Sequence, residues 1–157
     1  MAEPARILVV DDDESIRKVL ATILEEKGYI VDTAEKGKEA IEKSNANFYN
    51  LALIDIRLPD MEGTKLLTAM RETTPKMVKI IITGYPSLEN AIEAVNKGAD
   101  AYILKPFNMD GVLNKIREHL KKQQEAKKYS EEKVTEFIET RVRELEEEKA
   151  ITGRKTG

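Results

Sequence analysis

Five short apolar runs alternating with amphipathic stretches predict a doubly wound α/β fold, a five-stranded parallel sheet with helices on both faces and an extended helix at the C-terminal side. Three observations carry this expectation. The runs are nearly continuous in apolar residues, as strands covered on both faces must be. The stretches between them repeat at helical spacing, and up to residue 106 the two kinds strictly alternate.

Ile7-Leu8-Val9-Val10 reads as the first strand and stops abruptly at Asp11-Asp12-Asp13. Ile16, Val19, Leu20, Ile23 and Leu24 then mark a helix, for which Gly28 offers a C-terminal stop. Residues 29–34 mix β-branched with polar side chains, which predicts a strand with one more exposed face, and 37–45 form a short helix around Ala40 and Ile41. Leu51-Ala52-Leu53-Ile54 is a second buried strand run, again ending on an aspartate, Asp55. After the turn Leu58-Pro59-Asp60-Met61-Glu62-Gly63, the residues Leu66, Leu67 and Met70 mark the third helix, and Gly63 permits a tight loop. Pro75 closes the connection to the strand 78–82; Ser87 caps a fourth helix whose apolar side is Ile92 and Val95, and Gly98 ends it. A fifth strand spans 101–104, followed by a helix striped with Met109, Val112, Leu113, Ile116 and Leu120.

The 157 residues suffice for one ordinary domain with an appendage, read as a domain at 5–122, a charged helical extension at 123–152 and a disordered tail at 153–157. From Val112 to Thr152 there is neither glycine nor proline. Val134, Ile138, Val142 and Leu145, with Phe137 beside them, form a narrow apolar stripe over about two heptads. A dimerising helix, a helix docked on the chain's own surface and a frayed charged tail all remain open, as does a break near Tyr129 with a new helix starting at Ser130.

The chain has 41% hydrophobic and 35% charged residues, a soluble composition, and its net charge of −3 gives no reason to expect nucleic-acid or anionic-membrane binding. With no cysteine and the single histidine His119, disulfides, thiolate sites, cysteine nucleophiles and histidine-rich metal sites are excluded. The N-terminus lacks the pattern of a secretory signal and no apolar run approaches the ~20 residues needed to span a bilayer. A cytoplasmic location is the expectation.

In open α/β sheets the ligand site lies beyond the carboxyl ends of the strands. That rule gathers Asp11 and Asp12 from the first strand, Asp55 from the third, Thr83 from the fourth and Lys105 from the fifth. Converging carboxylates require a compensating cation. Their oxygen-only donor set suits Mg²⁺, with Mn²⁺ the alternative. One carboxylate could instead act as nucleophile toward a phosphoryl group. Taken singly, Asp11 to Asp13 could be an N-cap, Asp55 a turn residue, Thr83-Gly84 a strand exit and Lys105-Pro106 a solvated charge; together at four strand ends they form a site.

These residues carry a family resemblance. Val9-Val10-Asp11-Asp12-Asp13, the segment from Leu53 to Gly63, Ile82-Thr83-Gly84 and the segment from Tyr102 to Phe107 resemble the receiver domains of two-component response regulators over about residues 5–122. The resemblance implies a flavodoxin-like strand order 2-1-3-4-5 and a phosphoryl group accepted by Asp55 from a sensor histidine kinase or phosphotransfer protein. It further implies Mg²⁺ bound by Asp11, Asp12, Asp55 and the backbone carbonyl of Arg57, and phosphoryl oxygens met by Thr83 and Lys105. Tyr102 would turn inward as Thr83 moves, and the Lys105-Pro106 peptide would be cis. Asp13 reads as a helix start and not as a ligand. Arg57 and Tyr85, each two residues beyond a site residue, either obstruct the attack of water on the acyl phosphate or simply face solvent.

The expected function is a phosphorylation-dependent binding switch, not an enzyme acting on outside substrates. Its output would be a downstream protein, with neither nucleic acid nor membrane bound directly and no DNA-binding domain in the chain, which is read as stand-alone or cut from a larger regulator. A homodimer would form through the C-terminal helix or through the face of the fourth helix, fifth strand and fifth helix. Two competitors are a phosphatase resembling haloacid-dehalogenase-like enzymes, which lacks support because Ile56-Arg57 follows Asp55 where a second acid belongs, and an unphosphorylated structural module.

Overall fold

The computed structural model describes residues 3–156, with side chains over 3–152. The chain divides into two compact units, Met1–Gln123 and Gln124–Gly157.

In the first unit β1 (Arg6–Val10), α1 (Glu14–Glu26), β2 (Ile30–Ala34), α2 (Gly37–Ala46), β3 (Leu51–Asp55), α3 (Gly63–Ala69), β4 (Val78–Thr83), α4 (Leu88–Asn96) and β5 (Ala101–Leu104) alternate, and α5 (Met109–Thr156) begins. All strand pairs are parallel, in the order β2-β1-β3-β4-β5. The fold is therefore the expected flavodoxin-like one. Strand side chains alternate between two cores, as a period of two requires. Leu8, Val10, Ala52, Ile54 and Ile81 meet Ala40 of α2, Leu66 and Leu67 of α3 and Ala94 of α4. Ile7, Val9, Leu51, Leu53, Ile80 and Ile82 meet Leu20 and Leu24 of α1 and Val112, Leu113 and Ile116 of α5. Because both faces are covered, β1 is apolar from Ile7 onward, β3 up to Asp55 and β4 nearly so.

Local signals act as expected at several ends. Asp13 caps α1, its Oδ1 accepting from Ile16 N–H at 3.2 Å, and Ser87 caps α4, its Oγ accepting from Asn90 N–H at 3.1 Å. The apolar side of α4 is a correction. Ile92 and Val95 are 52% and 69% exposed, and Leu88 77%. The helix docks instead through its alanines, with Ala94 buried, so the larger residues lie on the adjoining stripe toward solvent.

Beyond the sheet the α5 helix continues without interruption through Tyr129 and Ser130, so no new helix starts there; nothing in this stretch breaks a helix and its composition favours one. In the second unit Val134, Phe137, Ile138, Val142 and Leu145 are all exposed. The tail expected at 153–157 lies outside the residues whose side chains are described.

Candidate functional site

The strand register places the site. Val10 stands beside Ile54, Asp55 beside Ile82 and Thr83 beside Leu104, so Asp11, Asp55, Thr83 and Lys105 come together at the carboxyl edge. Lys105 N–H donates to the Thr83 carbonyl at 2.7 Å, which carries the ladder one step past β5, and the Lys105-Pro106 peptide is cis. The loop after β3 folds back closely. A Cβ on Gly63 would lie 2.2 Å from the Asp55 carbonyl oxygen, so only glycine fits that approach.

Lys105 Nζ donates to Asp11 Oδ2 at 2.9 Å and to Asp55 Oδ2 at 3.1 Å. Asp11 and Asp55 are buried while Asp12 is exposed, and the three offer carboxylate oxygens within 4.8 Å of one another. Two buried carboxylates share one ammonium, which leaves a shortage of positive charge. Burial pushes the Asp11 carboxyl above its ordinary range; the Asp55 charge adds to this, against the Lys105 and Asp13 hydrogen bonds. Burial alone would lower the Lys105 ammonium, but the Asp11 and Asp55 carboxylates prevail and raise it. An added divalent cation on the open Asp12 side fits both the charge deficit and the hard oxygen donors.

Thr83 is fully buried, and its Oγ1 accepts from Tyr85 N–H at 2.9 Å. Tyr102 is half-buried against the α3–α4 core, and its hydroxyl is buried with no hydrogen-bond partner among the described residues. Arg57 and Tyr85 are exposed but not independent: the guanidinium lies 4.0 Å from the ring centroid.

The family model described as the response regulator receiver domain matches residues 7–117. The chain belongs to the response regulator receiver family. Receiver domains are phosphoacceptor switches of two-component signalling, not generally classed as enzymes, and bind Mg²⁺ at an acidic pocket of the kind Asp11, Asp12 and Asp55 make here. A solved receiver domain protein from Methanospirillum hungatei JF-1, described as CheY-like, is 49% identical, with a TM-score of 0.76 over 78% of this chain and 98% of that one. The NtrC4 receiver domain, solved as a beryllofluoride-activated dimer, is 38% identical with a TM-score of 0.70, over 75% of this chain and 98% of that one. Regulatory protein AtoC of Escherichia coli K12 is 36% identical over 105 residues, 67% of this chain and 23% of that protein. The chain thus spans about a quarter of that relative's length.

Two residues of the receiver escape a reading by strand ends. Asp60 accepts from Gly37 N–H and Lys38 N–H, both at 2.9 Å, and so caps α2 from a loop 22–23 positions away. Arg17 donates from Nη1 to the Asp11 carbonyl at 2.8 Å. An Asp in a turn and an Arg on a helix carry no local mark of such reach; only the folded register supplies it.

Proposed function

We propose that this receiver takes a phosphoryl group onto Asp55 from a phosphohistidine of a sensor kinase or phosphotransfer protein, and thereby switches a protein-binding surface. The observation that carries the reading is the Lys105 ammonium joining the Asp11 and Asp55 carboxylates at 2.9 and 3.1 Å, at one edge with Asp12. An Asp55 carboxylate oxygen bonds to phosphorus as the phosphorus–nitrogen bond breaks, the imidazole leaving with the electron pair and taking its proton from solvent. Lys105 exchanges its bond to Asp55 for one to a phosphoryl oxygen. Asp11, Asp12, Asp55 and the Arg57 carbonyl are the groups that would hold Mg²⁺, or Mn²⁺ in its place. When bound, the ion supplies positive charge to the transferring group.

Thr83 gives up its bond with Tyr85 N–H to meet the phosphoryl group. The Tyr102 hydroxyl has no hydrogen-bond partner among the described residues, so no such bond holds the ring in this position against a second one. The surface so switched is that of α4, β5 and the start of α5, where Leu88, Ile92, Val95 and Leu104 are exposed. Its partners are a downstream protein or a second copy of this chain, the NtrC4 receiver dimer supporting the latter; the apolar stripe of the C-terminal helix is the other route to a homodimer. We place the protein in the cytoplasm, acting without direct contact to nucleic acid or membrane and without a DNA-binding domain in this chain.

The test is intact mass after incubation with acetyl phosphate and Mg²⁺. One phosphoryl group is expected on the wild type, none without Mg²⁺ and none on Asp55→Ala. A folded wild type that gains no phosphoryl group, or an Asp55→Ala variant that still does, would overturn the reading.

A further inference from the structure

The geometry points to Arg17 as a positioning residue for the metal: its guanidinium fixes the peptide between Asp11 and Asp12, and with it the directions in which both carboxylates are presented. The inference rests on the reading of the acidic cluster as a Mg²⁺ site.

Asp11 is fastened at four points. Its N–H donates to the Ala34 carbonyl at 3.1 Å, its Oδ1 accepts from Asp13 N–H at 2.9 Å, its Oδ2 accepts from Lys105 Nζ at 2.9 Å, and its carbonyl accepts from Arg17 Nη1 at 2.8 Å. Three of these belong to the backbone or to the site itself. Arg17 alone reaches in from outside, six positions along, on the first turns of α1. The bond it makes is to the carbonyl of the Asp11–Asp12 peptide, at the point where the chain has left β1 and not yet entered α1. Strand and helix ladders do not hold that carbonyl, and a buried carbonyl left unpaired is costly.

Asp12 gives the contact its importance. Its exposed carboxylate has no hydrogen-bond or ion-pair partner among the described residues, so only its backbone, which sets the Cα–Cβ direction and the rotamers open to it, limits where it can point. That backbone begins with the peptide Arg17 holds. Mg²⁺ demands near-ideal octahedral geometry, so rotating this one peptide plane disturbs two ligands together. Groups that orient ligands from outside typically affect metal affinity by about 10–100-fold. Arg17 acts on the backbone and not on a carboxylate, which argues for the lower end of that range.

The sign of the effect separates positioning from charge. Arg17 is a cation near an acidic site, and it also lies within electrostatic reach of Glu14 and Glu39. As charge alone it opposes a divalent ion, and its removal would strengthen Mg²⁺ binding. As a positioning group its removal weakens binding.

The experiment is a Mg²⁺ titration of the full chain, followed by the amide shifts of residues 11–13, on wild type, Arg17→Met and Arg17→Lys. Arg17→Met keeps the aliphatic stem and loses the donor, and should bind Mg²⁺ about 10-fold more weakly. Arg17→Lys keeps the charge with a single flexible donor and should fall between. Phosphoryl uptake by Arg17→Met should return to the wild-type extent at saturating Mg²⁺. An affinity in Arg17→Met equal to or tighter than wild type overturns the inference. If that variant fails to fold by circular dichroism, Arg17→Lys decides, and wild-type affinity there overturns it equally. A wild type that takes up no Mg²⁺ at all instead overturns the reading of the cluster on which the inference stands.

Discussion

Lys79 carries an ammonium into the core with no ion-pair partner among the described residues. It is 7% exposed, and its Nζ donates to the Leu67 carbonyl in the last turn of α3, where helix carbonyls lack partners of their own. Burial chiefly, with Lys76 adding, pushes its pKa below the ordinary 10.5, against the weaker pull of Glu72 and Asp100. Between that depressed pKa and 10.5 the unfolded chain binds more protons than the folded one, so this residue makes stability rise with pH there. Urea unfolding of wild type and Lys79→Met should show wild type gaining on the variant from neutral pH toward pH 10.5; a difference that stays flat would refute the linkage. Arg57 and Tyr85 act at a smaller scale of energy. Their stack is worth about 0.5–1 kcal/mol at an exposed site, a two- to five-fold bias toward the closed arrangement. As a lid it would slow hydrolysis by a similar factor, so the acyl phosphate of an Arg57→Asn, Tyr85→Ala variant should decay several-fold faster by intact mass. An unchanged lifetime would leave the pair as surface packing.

At the scale of elements, the helix starts near the pocket serve two ends. Asp13 stands beside Asp11 and Asp12 yet spends its Oδ1 on Ile16 N–H as the cap of α1. Asp13→Ala should therefore cost about 1 kcal/mol of stability in urea while leaving Mg²⁺ affinity within two-fold. A large loss of affinity would make Asp13 a ligand. Strand ends, buried strand runs and caps were legible in the sequence because each leaves a mark within a few residues: an apolar run stopped by Asp11 or Asp55, a serine before α4. The inward face of α4 was not, because Ala91 and Ala94 compete with Ile92 and Val95 for the same helix, and only the space available against the sheet decides between small and large side chains.

For the whole molecule, the meeting of Asp11, Asp55, Thr83 and Lys105 was legible because parallel strands put every carboxyl end on one edge. The hold of Arg17 on Asp11, the reach of Asp60 to α2 and the lone charge of Lys79 were not, since periodicity describes faces and says nothing of what a long side chain meets across them. The α5 extension, whose apolar residues from Val134 to Leu145 are uncovered, raises the question of assembly. A helix of this kind owes most of its stability to burying such a face. Light scattering of the full chain should give a dimer, and Phe137→Glu with Ile138→Glu a monomer whose phosphoryl uptake is intact. A wild type that stays monomeric at high concentration, phosphorylated or not, would exclude this route.

The bond between Lys105 and Asp11 joins positions 94 apart in the chain. At about 5–20 residues per second, roughly 5–20 s of translation separate the two. Throughout that interval a nascent chain can hold all three aspartates and still lack the ammonium that links two of them. The pocket is thus incomplete until β5 has been made and docked, and a half-finished chain on the ribosome carries its acidic side without the cation that joins Asp11 to Asp55.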